Sequence, residues 1–273
     1  MDLFFLLSLS VLGSVVGFAA GLLGIGGGMM LVPFLTMLFP LFGVPLDLIV
    51  HAAIATSMAT IVFTSVSSVR AHHKRGAIRW DIVRSMGPGL VLGGLLSGGA
   101  IFSFLSGAWL ALVFAAFVAY SAVKMLSGKV PPESRTMPGP MATAGVGVGI
   151  GFASGLLGAG GGFLSVPFMT RSNVAIHNAV ATSAALGFVI AIANCIGYIY
   201  SGVAHQNVDH NGMLGYIYWP ALVVISVFSV LFAPLGARSA HALPVKTLKR
   251  VFAGLLFCLA VYMFSEALRG FMV

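Results

Sequence analysis

The stretch GFAAGLLGIGGGMMLVPF, residues 17–34, decides the fold because the chain contains it twice. Residues 151–168 read GFASGLLGAGGGFLSVPF and are identical at 13 of the 18 aligned positions. A run of glycines between two apolar arms interrupts a helix, since glycine lacks the Cβ that penalises left-handed backbone. Each copy therefore predicts a helix, a glycine turn and a second helix.

A second pair of segments confirms the register of this duplication. HAAIATS at residues 51–57 is matched by HNAVATS at residues 177–183. Self-similarity at this scale indicates an internal repeat. The chain therefore divides into a first transmembrane repeat (1–127), a predicted cytoplasmic linker that carries Pro, Ser, Glu and Arg (128–140) and a second, inverted transmembrane repeat (141–273).

Composition places the chain in a lipid bilayer. It is 59% hydrophobic and 7% charged, with a mean hydropathy of +1.06. Such long apolar runs are typical of membrane helices. The net charge of +8 comes from basic residues in short loops, which set membrane orientation, so no nucleic-acid partner is expected. Cys195 and Cys258 lie in apolar segments without zinc-site spacing, and we expect no metal or cofactor.

The apolar runs predict the membrane segments. Full spans are predicted at 1–23, 49–69, 85–103, 108–126, 141–157, 174–200, 213–235 and 245–268, with shorter arms at 29–42 and 163–170. The arm at 163–170 is about half a span at 1.5 Å per residue, so that glycine-broken pair is predicted to be short or re-entrant.

Loop charges predict that the two repeats face opposite ways. The loop Arg70–Arg84 carries five basic residues, whereas its counterpart Ser201–Gly212 carries none. The loop from Arg238 to Arg250 is basic in turn, and its counterpart Ser103–Gly107 is not. Basic loops stay in the cytoplasm, so 13 of the 14 Lys and Arg residues fall there, and both termini are predicted to be periplasmic.

The fold class that follows is an all-α polytopic membrane protein. It consists of two inverted-topology repeats of about five helical segments each, with glycine-broken short or re-entrant helices. Transporters built from inverted repeats bind their substrates near the midplane at the repeat interface.

The glycine breaks predict an anion site. The first amides of a helix lack intrahelical acceptors and lie at the positive end of the helix dipole. The alternative is close helix packing, which glycine also permits. Two such breaks in equivalent positions favour binding. The predicted substrate-binding residues are Gly26, Gly27, Gly28, Thr56, Ser57, Gly160, Gly161, Gly162, Thr182, Ser183 and Asn194.

The polar members of this set have alternatives of their own. A hydroxyl in a membrane helix often bonds the carbonyl four residues earlier, and Asn194 could equally bond another helix. His51 and His177 could carry protons or cap their helices. Arg171 is interpreted as an interfacial anchor, and His72 with His73 as solvated surface.

Enzymatic chemistry has little support in the sequence. Ser154 within GFASG is faintly similar to intramembrane serine proteases, but the first copy has Ala20 there. The chain has no HExxH motif and, apart from Asp2 at the N-terminus, no aspartate within a predicted span. The scarcity of carboxylates in the spans also argues against a cation pore lined by acids.

At the paired GxGGG…P and HxAxATS segments the sequence resembles the TauE/SafE family of sulfite and organosulfonate transporters, over nearly the whole chain. The family motif falls on Gly24, Gly26, Gly27, Gly28, Pro33, Thr56 and Ser57, and on Gly158, Gly160, Gly161, Gly162, Pro167, Thr182 and Ser183. The second half departs in its shorter arm: 10 residues separate Pro167 from His177, against 18 from Pro33 to His51.

The resemblance implies a secondary transporter of small sulfur-containing anions, such as sulfite, sulfonates or sulfoacetate, in a bacterial cytoplasmic membrane. The predicted mechanism is alternating access around a midplane anion site. An anion channel-like pore, and a membrane-embedded enzyme, are the alternatives. The coupling ion, proton or sodium, and a homodimeric state are left open by the sequence.

Overall fold

The computed structural model describes residues 3–23, 27–127, 136–206, 212–239 and 245–272. Within them the chain forms helices and one two-stranded hairpin. The elements are α1 (Leu3–Leu23), α2 (Gly28–Leu38), a 3₁₀ turn (Phe39–Phe42), α3 (Ile49–Lys74), α4 (Trp80–Leu95) with a π-helical end (Leu96–Ile101), α5 (Gly107–Ser127), α6 (Pro140–Leu157), α7 (Gly162–Arg171), α8 (Ile176–Gln206), β1 (Met213–Leu214), β2 (Ile217–Tyr218), α9 (Trp219–Ser239) and α10 (Val245–Met272).

This architecture confirms an all-α polytopic membrane protein. Seven of the described helices are long and apolar enough to cross a membrane: α1, α3, α5, α6, α8, α9 and α10. The short helix α2 is apolar, and α4 continues without a break into its π-helical end.

Two predicted loops are shorter in the structure. α3 continues to Lys74 and α4 begins at Trp80, so the predicted loop Arg70–Arg84 reduces to residues 75–79. α8 likewise runs on to Gln206 through Ser201, which is buried. Long basic side chains at the end of α3 reach the interface without ending the helix. In α8 the hydroxyl of Ser201 donates to the Gly98 carbonyl, so this polar residue also lies within the helix. The predicted span at 213–235 begins instead with the hairpin, and its helix starts at Trp219.

Each glycine-broken pair returns to the end of the bundle from which it entered. In the first half, the ring of Phe5 at the start of α1 contacts that of Phe42 just after α2, with centroids 4.5 Å apart. In the second half, Gly158 ends α6 in the left-handed conformation (φ +59°). α7 then leads back to α8, where the Asn178 side chain donates to the Ala77 carbonyl in the loop between α3 and α4.

The helix packing pairs elements of the two halves. α1 packs on α9 and α4 on α6, α3 packs on α8, and α5 on α10. Glycines allow the closest approaches: Gly17 lies against Ser229, and Gly151 against Leu90. Matching α1–α5 in order with α6–α10 makes α1 equivalent to α6 and α4 equivalent to α9, so the α1–α9 pair corresponds to the α4–α6 pair. The α3–α8 and α5–α10 pairs each correspond to themselves. The end of the helix bundle that contains Lys74 and Arg75, at the C-terminus of α3, is called the basic end below.

Candidate functional site

A cavity of about 160 Å³ lies between α1, α2, α3, α7, α8 and α9. Gly27, Gly160 and Gly162 of the two glycine breaks line it, and hydroxyl groups line much of the rest. The lining residues with hydroxyls are Thr60, Thr64, Ser65, Ser68, Ser183 and Ser229. Among the described lining residues there is no Asp, Glu, Lys or Arg, and His72 is the one titratable side chain. The cavity therefore offers neutral polar groups to a ligand.

The cavity extends from the glycine breaks to the basic end. Four of its lining residues, Thr60, Thr64, Ser68 and His72, recur every fourth position along α3 and so share one face of that helix. The stripe begins near the middle of α3 and ends in its last turn, next to Lys74. A ligand would thus reach the glycine breaks from the basic end.

The glycine breaks present helix N-termini at the inner end of this stripe. α2 begins at Gly28 after the turn at Gly27, and α7 begins at Gly162 after Gly161. The Gly27 carbonyl accepts the amides of Met30 and Leu31, so the helix dipole starts there. The earlier amides of each helix have no acceptor within it, which gives both tips a partial positive charge. Gly26, also predicted as a ligand residue, lies outside the described residues.

The two glycine breaks contact each other through backbone. Gly28, at the start of α2, packs so closely on the carbonyl of Gly158, at the end of α6, that a side chain there has no room. The Ser57 hydroxyl lies 3.3 Å from the Gly28 carbonyl oxygen and 3.2 Å from that of Gly158, and it donates to both. Ser57 and Gly28 are buried and do not line the cavity. Ser57 thus joins the two glycine breaks in this structure.

Gly161 turns the chain into α7 and faces away from the cavity. Its φ is +71°, a conformation that side-chain-bearing residues avoid. A Cβ there would lie 2.5 Å from Ile190 Cδ1 and 3.2 Å from Ser154 Oγ. Gly161 therefore faces α6 and α8.

Thr56 and Thr182 each accept a hydrogen bond from the backbone of the opposite half of the chain. Thr56 Oγ1 accepts the backbone N–H of Tyr218, and Thr182 Oγ1 accepts that of Arg79, each at 3.0 Å. Tyr218 and Arg79 each precede the tryptophan that begins the next helix. The sequence contained a signal for this arrangement: Ile-x-Trp occurs at residues 78–80 and again at residues 217–219.

Asn194 and Ser183 differ in their surroundings. Asn194 is fully buried; its amide donates to the Ile190 carbonyl at 2.9 Å and its Oδ1 accepts the Ser97 hydroxyl at 3.0 Å. Ser183 lines the cavity, with its hydroxyl donating to the Val180 carbonyl at 2.8 Å. Of the predicted residues, the structure brings Gly27, Gly160, Gly162 and Ser183 together around the cavity.

His72 is a lining residue that sequence reasoning missed. It was interpreted as solvated surface, whereas the structure places it, half-buried, at the end of the polar stripe. The four-residue spacing of polar residues in an otherwise apolar helix was the available signal. His51 and His177 are not equivalent: His51 is buried and its Nε2 lies 2.9 Å from the Leu105 carbonyl oxygen, whereas His177 is exposed.

These features define a polytopic membrane protein with a polar cavity that reaches the two glycine breaks and whose described lining contains no Asp, Glu, Lys or Arg. The chain belongs to the TauE/SafE family, because the family model described as "Sulfite exporter TauE/SafE" matches residues 9–263.

Relatives named "Probable membrane transporter protein" agree with this assignment. The one from Haemophilus influenzae is 38% identical over 263 residues, which cover 96% of this chain and 99% of the relative. The relative MJ0441 from Methanocaldococcus jannaschii is 27% identical over 259 residues, which cover 93% of this chain and 94% of the relative. No solved structure matches the chain. The protein is therefore a multi-pass membrane transporter of this family.

Proposed function

We propose that the protein is a secondary transporter of small sulfur-containing anions, of the sulfite, sulfonate or sulfoacetate type. The observation that carries this proposal is the cavity itself. It combines two helix N-terminal tips with hydroxyl groups, and no acidic residue occurs among its described lining residues. Oxyanions accept hydrogen bonds from such neutral donors, and the positive ends of helix dipoles favour negative charge.

Ser65 is the lining hydroxyl best placed to bind the anion. Thr60, Thr64 and Ser183 donate to carbonyls of their own helices and must rotate before they can donate to a ligand. Ser65 and Ser68 have no hydrogen-bond partner among the described residues, and of the two Ser65 is buried and lies nearer to the glycine breaks along α3. We therefore assign it the first hydroxyl contact to the anion, with Ser183 as a second contact after rotation.

Alternating access is supported by the pairing of the two halves. An inverted repeat would produce equivalent helix pairs, such as α1–α9 and α4–α6. It would also produce the equivalent hydrogen bonds that Thr56 and Thr182 accept from the opposite half. In this proposal the protein lies in a bacterial cytoplasmic membrane with its basic end in the cytoplasm. The cavity then opens to the cytoplasm, and the two repeats move against each other around the glycine tips.

The test of substrate class is binding to the purified protein in detergent, measured by calorimetry. Sulfite, methanesulfonate and sulfoacetate should bind more tightly than neutral dimethyl sulfone or cationic choline. Ser65→Ala should weaken anion binding about fivefold, because one hydrogen bond is worth about 1 kcal/mol. Ser265→Ala on α10, whose hydroxyl donates to the Tyr262 carbonyl, is the matched control and should leave binding unchanged.

Equal affinity for dimethyl sulfone and the sulfur anions would overturn the substrate class. Flux into proteoliposomes separates the mechanisms: a saturable, gradient-coupled flux indicates a transporter, and a non-saturating flux indicates the channel-like pore. Chemical turnover of the substrate would indicate the membrane enzyme.

A further inference from the structure

The residues around the open cavity have counterparts in the second half, given by the duplicated segments. Gly17–Phe34 aligns with residues 151–168, and residues 51–57 with 177–183, and the same offset continues along α3 and α8. Ala20, Leu31, Ser68 and His72, which line or flank the cavity, correspond to Ser154, Ser165, Asn194 and Tyr198.

The counterpart region is closed. The side chains of Ser154, Ser165, Asn194 and Tyr198 are all at most 1% exposed. Tyr198 donates its phenolic O–H to the Gly155 carbonyl, and Asn194 is bonded to Ser97. The two halves therefore differ: one encloses an open cavity, and the other packs the equivalent positions shut.

Two hydroxyls in this closed region have no protein partner. Ser154 Oγ and Ser165 Oγ are buried without a hydrogen bond among the described residues. An unpaired buried hydroxyl lowers stability, because it loses the hydrogen bonds that it makes with water in the unfolded chain. The corresponding residues of the first half are apolar, Ala20 and Leu31, so the duplicated fold does not require serine at these positions. Water or a ligand would satisfy both hydroxyls if this region opened.

A cluster of four rings, named here the ring cluster, lies at the end opposite the basic end. The Phe102 ring is its centre, with centroid distances of 4.5 Å to Tyr198, 5.0 Å to His51 and 5.4 Å to Tyr216. The side chains of Phe102, Tyr198 and Tyr216 are fully buried, and that of His51 nearly so. At the basic end the counterparts of Tyr198 and His51 are the half-buried His72 and the exposed His177.

From this asymmetry we infer that Ser154, Ser165, Asn194 and Tyr198 line the outer half of the translocation path, held closed here by the ring cluster. In the alternate state these residues form a cavity like the one seen on the basic side, and the Ser154 and Ser165 hydroxyls contact the anion or its water. The inference rests on the proposed transport function and adds to it the residues of the second access route.

Cysteine labelling with a membrane-impermeant maleimide tests this assignment. Ser154→Cys and its counterpart Ala20→Cys are placed in a chain with Cys195 and Cys258 changed to Ala, in vesicles of known orientation. Ala20→Cys should label from the side of Arg75. Ser154→Cys should label slowly, and adding Phe102→Ala should raise its labelling rate at least tenfold from the opposite side only. Phe114→Ala removes an equally buried ring of α5 outside the cluster and is the matched control.

A wild-type elution volume in size-exclusion chromatography verifies that the Phe102→Ala protein is folded. If the Phe102→Ala protein does not fold, Tyr216→Ala opens the same cluster from the hairpin. Labelling of Ser154→Cys from the Arg75 side, or no acceleration in a folded cluster variant, would overturn the inference. Because labelling uses no substrate, its outcome is separate from that of the anion-binding test: failure to bind sulfur anions alters the proposed substrate and leaves the path intact.

Discussion

Equivalent serines should have opposite roles. Ser57 and Ser183 occupy matching positions of the duplicated segments. Ser57 bridges the Gly28 and Gly158 carbonyls in a buried contact, whereas Ser183 faces the cavity. We expect Ser57→Ala to lower stability, and Ser183→Ala to lower anion affinity.

The magnitudes follow from the hydrogen bonds that each serine makes. Ser57→Ala leaves two buried carbonyls without their shared donor, a cost of about 1–3 kcal/mol in the free energy of unfolding. At roughly 2–4 °C per kcal/mol for a chain of this size, the melting temperature should fall by several degrees. The Ser183 hydroxyl bonds only the Val180 carbonyl of its own helix, so its loss should change stability by less than about 0.5 kcal/mol. Its affinity cost should be less than the about fivefold loss expected for Ser65→Ala, because the Ser183 hydroxyl gives up the Val180 bond when it turns to the anion.

Thermal unfolding and calorimetric titration with sulfite, on the same detergent preparations, measure both quantities. A Ser57→Ala protein that melts like the wild type but binds anion more weakly would refute the bridging role and restore Ser57 as a ligand residue. A Ser183→Ala protein that melts early and binds normally would refute the cavity contact.

Two further predictions concern topology and packing. In a cysteine-free background, cysteines replacing Leu214 on the hairpin and Arg75 in the loop after α3 should label from opposite sides of intact cells; labelling from one side would contradict the inverted repeat. Gly17→Ala places a methyl group 2.5 Å from Ser229 Cα and should destabilise the protein by about 1–3 kcal/mol, whereas Gly254→Ala on α10 has open space and should not. Equal melting temperatures for the two glycine variants would contradict this prediction and would show that α1 and α9 can move apart to accommodate the methyl group.

Much of the fold could be predicted from the sequence. Seven of the predicted spans, and the short arm after the first glycine break, follow directly from hydropathy and glycine. The loop bounds could not be predicted in the same way. From the sequence alone, a charged side chain such as Arg70 or Lys74 looks the same whether it marks the end of a helix or extends from the helix to the interface. The lipid environment permits both a helix that ends at such a residue and one that continues past it, and tertiary packing determines which of them forms.

The candidate site was only partly predictable, for a different reason. A duplicated sequence assigns equal roles to Thr56 and Thr182, and to Ser57 and Ser183. The two threonines are indeed equivalent, because each accepts a backbone amide from the other half. The serines are not, because one side of the structure is open and the other closed. That asymmetry belongs to a conformational state, and no single residue encodes it.

The pairing of α1 with α9 also has a consequence for how the protein is made. α1 ends at Leu23 and α9 begins at Trp219, so synthesis of the intervening chain takes on the order of ten to forty seconds at 5–20 residues per second. Until then the glycine face of α1, including Gly13, Gly17 and Gly21, has no partner in the nascent chain. α4 and α6 meet after a much shorter delay. α1 thus waits longer for its partner than α3, α4 or α5 does, and until α9 is made its glycine face is exposed to lipid.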